Sequence, residues 1–310
     1  MDAAASAYYP GEFPGDASGD LPARERQGRI ETSPDAGRIR HVRYSRGGGA
    51  VAPTHPLFLC LHGWGANEDD MADIMRYIAP YNDFVSLRAP YELPTASARS
   101  SVDSSAAAQS SVEPQSPAAA ASSAAHAAVT AASAAPAADA GAASSLPYRH
   151  RQAFSWFTAR QPFGDDLDRE AFRAASAIND WVAANIPADR AVVPLGFAQG
   201  AALAVHLLRI NPQRYRAAVA LSGFIAPGGV TGTAPADDRL DQYDIPVFFA
   251  YGRNDAVIPK YELFAAAAWL EEHTWLTSKG YRTLDHAVSM EEFADLRDWL
   301  LTNDISSGLL

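Results

Sequence analysis

The chain alternates short apolar runs with longer stretches in which apolar residues recur every three or four positions. Continuous apolar runs of four to eight residues bounded by turn signals read as buried strands. By that reading, strands are expected at 38–44, 56–61, 83–87, 191–196, 216–222, 246–251 and, last and shortest, 281–285. Amphipathic spacing predicts helices at 68–79, 166–186, 199–210, 260–273 and 289–302. The helix after Asp165 begins with acidic residues, which complement the positive end of a helix dipole. Apolar strands alternating with amphipathic helices imply an α/β fold, a mainly parallel sheet covered by helices on both faces. Ligands of such sheets sit beyond the carboxyl ends of the strands.

Two segments fall outside this pattern. Residues 1–37 lack both the basic start and the apolar run of a secretory leader, and a disordered N-terminal tail is expected there. Residues 96–145 contain 22 Ala and 13 Ser but no Phe, Trp, Tyr, Leu or Ile. Such a stretch buries too little apolar area to offset its ordering entropy, so it reads as a low-complexity insertion. The expected organisation is one domain over 38–305, interrupted by that insertion.

Composition narrows the partners. The net charge of −11, with no cluster of Lys or Arg, argues against nucleic acid or an anionic membrane surface. No apolar run approaches a membrane span, and a cytoplasmic location is expected. The single cysteine, Cys60, lies inside an apolar run and reads as a buried thiol. No metal-ligand spacing or cofactor motif stands out.

Candidate chemistry lies at four predicted strand ends. Gly196-Phe197-Ala198-Gln199-Gly200 has the form of the G-x-S-x-G turn that raises a serine hydroxyl above a hydrolase sheet, with Ala198 in the nucleophile position. The loop His62-Gly63-Trp64-Gly65 could turn backbone N–H groups toward a developing oxyanion. The expected donors are the N–H groups of Trp64 and Gln199. Asp255, just past the strand at 246–251, could orient a base; capping a helix or turn is the plainer role. His286 could serve as that base, or be a solvated loop residue. The order nucleophile position, Asp255, His286 is the one used by α/β-hydrolases. His41, His55, His126, His150, His206 and His273 lack such support. Ser222 is set aside as a substitute nucleophile because it ends a different strand.

At these residues the chain resembles the phospholipase/carboxylesterase family of α/β-hydrolases, which includes carboxylesterases and acyl-protein thioesterases. Leu61-His62-Gly63-Trp64-Gly65, Arg88-Ala89-Pro90, Ser155-Trp156-Phe157, the elbow, Leu221-Ser222-Gly223, Gly252-Arg253-Asn254-Asp255 and His286-Ala287-Val288-Ser289 carry the likeness. It implies an α/β-hydrolase fold and a cofactor-free esterase or thioesterase acting on small to medium acyl esters. Trp156 and Phe157 are candidates for shaping the acyl pocket. Ala198 departs from the pattern and leaves three readings open. One is deliberate removal of the nucleophile from an ordinary esterase. The second is a natural pseudoenzyme that binds an acyl ligand without turnover, and the third is trace hydrolysis by water activated on His286. In each case the chain as it stands is expected to be inactive or nearly so.

Overall fold

Strand β2, Leu57–Leu61, is buried at every position, and its side chains divide between the two faces of the sheet. Leu57, Leu59 and Leu61 enter one core, Phe58 and Cys60 the other. The same period of two recurs in β6 (Val192–Phe197), β7 (Ala218–Leu221) and β8 (Pro246–Gly252). Their alternate residues feed the two cores in turn. Burial on both faces explains why these strands read as continuous apolar runs.

The computed structural model describes residues 37–45, 56–80, 82–94 and 152–306. The expected insertion at 96–145, and all but the last residue of the expected tail at 1–37, lie outside them. Among the described residues seven strands form one sheet in the order β1-β3-β2-β6-β7-β8-β9. Strand β1 (Val42–Tyr44) pairs antiparallel with β3 (Phe84–Leu87), and the other five pairings are parallel. Helices α2 (Gly164–Asn185), α3 (Gln199–Ile210) and α4 (Lys260–His273) cover one face. Helices α1 (Glu68–Ile78) and α5 (Met290–Thr302) cover the other.

One expectation needs correction. The last strand is β9, Trp275–Tyr281, and not 281–285. It pairs with β8 from Pro246↔Trp275 to Gly252↔Tyr281. As an edge strand it keeps Trp275 and much of its length exposed, so its sequence lacks an apolar run. Residues 282–285 instead turn back toward the site and deliver His286. A second sheet of two two-residue strands, β4 (Tyr91–Glu92) and β5 (Phe154–Ser155), is too short to leave a periodic signal.

The segment between β7 and β8 contains a 3-10 helix at Asp237–Tyr243. Buried side chains hold it to the helices. Asp168 on α2 accepts the N–H groups of Gly228 (2.7 Å) and Val230 (3.0 Å). Arg209 on α3 pairs with Asp237, donates to the Ala226 carbonyl at 2.6 Å and lies over the Trp269 ring. His206 meets the Thr233 carbonyl at 2.8 Å, and its burial lowers its pKa to about 3, keeping it neutral.

Candidate active site

The turn between β6 and α3 is tight for reasons of space. A Cβ on Gly196 would lie 2.1 Å from the Gly200 backbone, and one on Gly200 would lie 2.0 Å from the Leu61 carbonyl oxygen. Only glycine fits at either place. Between them Ala198 takes φ 51 and ψ −112, a conformation that costs a residue with a Cβ about 1–3 kcal/mol. Its N–H bonds the Leu221 carbonyl at 3.0 Å, and its carbonyl accepts from Ala202 at 3.1 Å. The turn thus points residue 198 out of the sheet edge at the head of α3.

Asp255 and His286 come together from two loops. One Asp255 oxygen, Oδ1, accepts the N–H groups of Val257 and Ile258, each at 2.8 Å, and shapes its own turn. The other, Oδ2, lies 2.8 Å from His286 Nδ1. The Asp255 side chain is fully buried, whereas 12% of the His286 side chain is exposed. The imidazole packs against the Phe197 ring with centroids 4.8 Å apart. With Nδ1 engaged, Nε2 is the nitrogen left to exchange a proton with a bound group. Ser289 caps α5 just beyond, accepting the Glu292 N–H at 3.1 Å, which fixes the chain that carries His286.

The Trp64 and Gln199 backbone N–H groups have no acceptor among the described residues, and both residues line the same cavity as Ala198 and His286. The loop before Trp64 is held from below by His62. Nε2 of that ring accepts the Ala89 N–H at 3.0 Å and Nδ1 reaches the Gly63 carbonyl at 2.8 Å. Burial lowers the His62 pKa to about 4, so the ring stays neutral, as an acceptor at Nε2 must be.

Trp156 and Phe157 stand apart from the other candidate site residues. Both are buried, and neither lines the cavity. Trp156 donates its indole N–H to the His62 carbonyl at 2.8 Å and packs against that ring, so it supports the loop from behind. Their large apolar surfaces are worth more in the core than at a wet mouth. The aromatic and aliphatic wall is instead Trp64, Phe197, Phe224, Val257 and Ile258, around a cavity of about 120 Å³.

Gln199 does more than its backbone suggests. Its Oε1 accepts from Ser155 Oγ and from the Trp156 N–H, both at 3.1 Å. Its Nε2 donates to the carbonyls of Arg160 (3.1 Å) and Ala159 (3.4 Å). One side chain therefore clamps the 155–160 segment to the residue beside Ala198. Ser222 is fully buried and does not line the cavity. Cys60 is buried as expected, and burial raises its thiol pKa. Among the described residues no cluster of three or more His, Cys, Asp or Glu could hold a metal ion.

A parallel sheet with helices on both faces, a glycine-packed elbow at one strand end, and an Asp–His pair from two later loops define an α/β-hydrolase fold. The Phospholipase/Carboxylesterase family model matches residues 150–303, and the chain belongs to the phospholipase/carboxylesterase family. The acyl-protein thioesterase 1 of Kluyveromyces lactis is 32% identical over 108 residues, covering 34% of this chain and 46% of that protein. The matched stretch thus spans about half the length of that curated relative.

Among solved structures, the acyl-protein thioesterase 2 of Zea mays superposes with a TM-score of 0.55 at 17% identity, over 85% of this chain and 98% of that one. The Bacillus cereus carboxylesterase gives 0.52 at 15% identity, over 84% and 93%. A Mesorhizobium loti carboxylesterase gives 0.51 at 17% identity, over the same shares. At such identities the likeness is one of fold.

Proposed function

We propose that this chain is built as a serine-type hydrolase of small to medium carboxylic esters or thioesters, with alanine in the nucleophile position. As it stands it then binds its ester without forming an acyl-enzyme. The observation that carries this reading is the 2.8 Å contact between Asp255 and His286 on a cavity that Ala198 also lines. The reading takes 38–305 as one hydrolase domain acting in the cytoplasm, without a cofactor. Among the described residues no helix is long and apolar enough to cross a membrane.

With a serine at position 198, its hydroxyl would attack the acyl carbonyl while His286 Nε2 takes the proton. Asp255 holds the imidazole in the required tautomer and stabilises the imidazolium. The Trp64 and Gln199 N–H groups would receive the oxyanion. His286 would then protonate the leaving alcohol or thiol, and water would repeat the sequence on the acyl-enzyme. Without the hydroxyl the first bond cannot form. In a protease triad, loss of the serine costs about 10⁶ in turnover, and what remains comes from the oxyanion site and binding.

The test is hydrolysis of p-nitrophenyl butyrate by this chain beside its Ala198→Ser variant, both shown to be folded. The expected result is turnover by the variant and a rate on the order of 10⁶ lower for the parent. A one-equivalent burst of nitrophenol from the parent would overturn the reading. A variant that neither hydrolyses esters nor reacts with a fluorophosphonate would favour the second reading, a pseudoenzyme that keeps its pocket for binding alone. The alanine itself speaks for that second reading.

A further inference from the structure

Among the described residues the cavity wall contains one cation that the fold does not use. Arg160 is the only Lys or Arg among the described residues lining the cavity, and it is half-buried. Among those residues its guanidinium has neither a carboxylate within ion-pair distance nor a hydrogen-bond acceptor. Other half-buried or buried arginines of the chain are committed: Arg88 to Glu68, Arg190 to Asp83, Arg209 to Asp237.

The segment that carries Arg160 is tied on three sides. Thr158 bonds Glu170 through its N–H and its hydroxyl. The carbonyls of Ala159 and Arg160 accept from Gln199 Nε2. Gln161 Nε2 donates to the Val257 carbonyl at 2.7 Å, linking the segment to the loop after Asp255. Partial burial of an unpaired guanidinium costs solvation, and the fixed backbone anchors the arginine at the cavity wall. The cavity also meets a carboxylate, Asp70, but that group belongs to the first turn of α1, where Oδ2 accepts the Asn67 N–H at 2.9 Å.

We propose that Arg160 is a specificity residue that receives a carboxylate of the substrate, so that the site takes half-esters of dicarboxylic acids in preference to neutral esters. The proposal rests on the hydrolase reading above. A planar guanidinium presents paired donors to a carboxylate, which a neutral acyl chain cannot satisfy. The apolar part of the wall, Trp64, Phe197, Phe224, Val257 and Ile258, would hold the intervening methylenes. In a chain of net charge −11, long-range attraction does not bring an anion here, so selectivity must come from this local contact.

The experiment compares monoethyl glutarate with ethyl pentanoate, its neutral counterpart of equal length, in the Ala198→Ser variant. The expected kcat/KM favours the half-ester by roughly 10- to 100-fold, the range of one charge-assisted hydrogen-bonded pair. Adding Arg160→Gln should collapse that ratio, mainly through a higher KM for the half-ester, and Arg160→Lys should restore part of it. Equal or better turnover of the neutral ester, or a ratio that Arg160→Gln leaves in place, overturns the proposal.

If the serine variant hydrolyses neither ester, the anion site is judged on the parent chain alone, and the hydrolase reading itself fails only if p-nitrophenyl butyrate and a fluorophosphonate also go unreacted. Calorimetric titration with monoethyl glutarate should then show saturable binding that 0.5 M NaCl weakens and Arg160→Gln removes. No binding overturns the site as well.

Discussion

Glu292 gives the stability of this fold an unusual dependence on pH. It is the N3 residue of α5, and its Oε2 accepts the Ser289 N–H at 3.3 Å while its Oε1 is buried with no partner among the described residues. Burial pushes its pKa up from 4.5 to about 8; the Ser289 N–H opposes the rise and the Asp295 charge adds to it. The unfolded chain releases this proton near pH 4.5, whereas the folded chain keeps it to about pH 8. Between those values the folded state binds more protons, so stability falls as pH rises.

Each pH unit costs about 1.4 kcal/mol, so from pH 4.5 to 7 the loss is about 3 kcal/mol, and it reaches about 4 kcal/mol by pH 8. Glu292→Gln removes the titration and keeps an acceptor for Ser289. Its amide leaves buried donors unpaired, a cost of about 1–3 kcal/mol that does not vary with pH. The slope is therefore the informative quantity. Urea unfolding followed by tryptophan fluorescence at pH 5, 6, 7 and 8 should show the stability of the parent falling relative to that of the variant by about 1.4 kcal/mol per pH unit up to about pH 7. His62 and His206, whose pKa values burial lowers to about 4 and 3, destabilise the fold only as pH falls below about 6.5, and equally in both proteins. Parallel curves for parent and variant over pH 5–8 would refute the reasoning.

Two further outcomes test the site and its frame. In the Ala198→Ser background, Asp255→Asn should lower kcat by about 10⁴ while the protein stays folded, because an amide N–H in place of Oδ2 forces the wrong His286 tautomer; a loss below tenfold would remove Asp255 from the proposed mechanism. Gly200→Ala should prevent folding or destabilise by more than about 3 kcal/mol, since its Cβ meets the Leu61 carbonyl oxygen at 2.0 Å; soluble protein with an unchanged urea midpoint would show that the elbow can yield.

What the sequence showed and what it hid follow from how far each signal reaches along the chain. Strands β2, β6, β7 and β8 were legible because burial on both faces makes their apolar runs unbroken. Strand β9 was misplaced because an edge strand satisfies one partner and leaves its outer side chains to water, erasing the run. The elbow, Asp255 and His286 were visible as short loop motifs. The cavity wall was not: Arg160 and Gln161 are held there by the Gln199 clamp and the Gln161–Val257 bond, which join residues 39–96 positions apart. Trp156 looked like a pocket aromatic for the same reason, since nothing local reveals its bond to His62 94 positions away.

The parts of the site do not speak equally for catalysis. Strain at Ala198 resembles a device for presenting a nucleophile, yet the close fit of Gly196 and Gly200 imposes that turn whatever residue occupies position 198. The conformation would persist through the loss of the hydroxyl. Asp255 is divided: Oδ1 holds its own loop, so the fold alone would retain the residue, while only Oδ2 is given to His286. His286 is different. It packs against Phe197 and caps nothing, and its one hydrogen bond among the described residues runs to Asp255, so a chain needing only stability could place an apolar residue there. The same holds for Arg160, whose charge no group among the described residues neutralises. Those two side chains, and not the elbow, are where a choice between hydrolase and binding module will be decided.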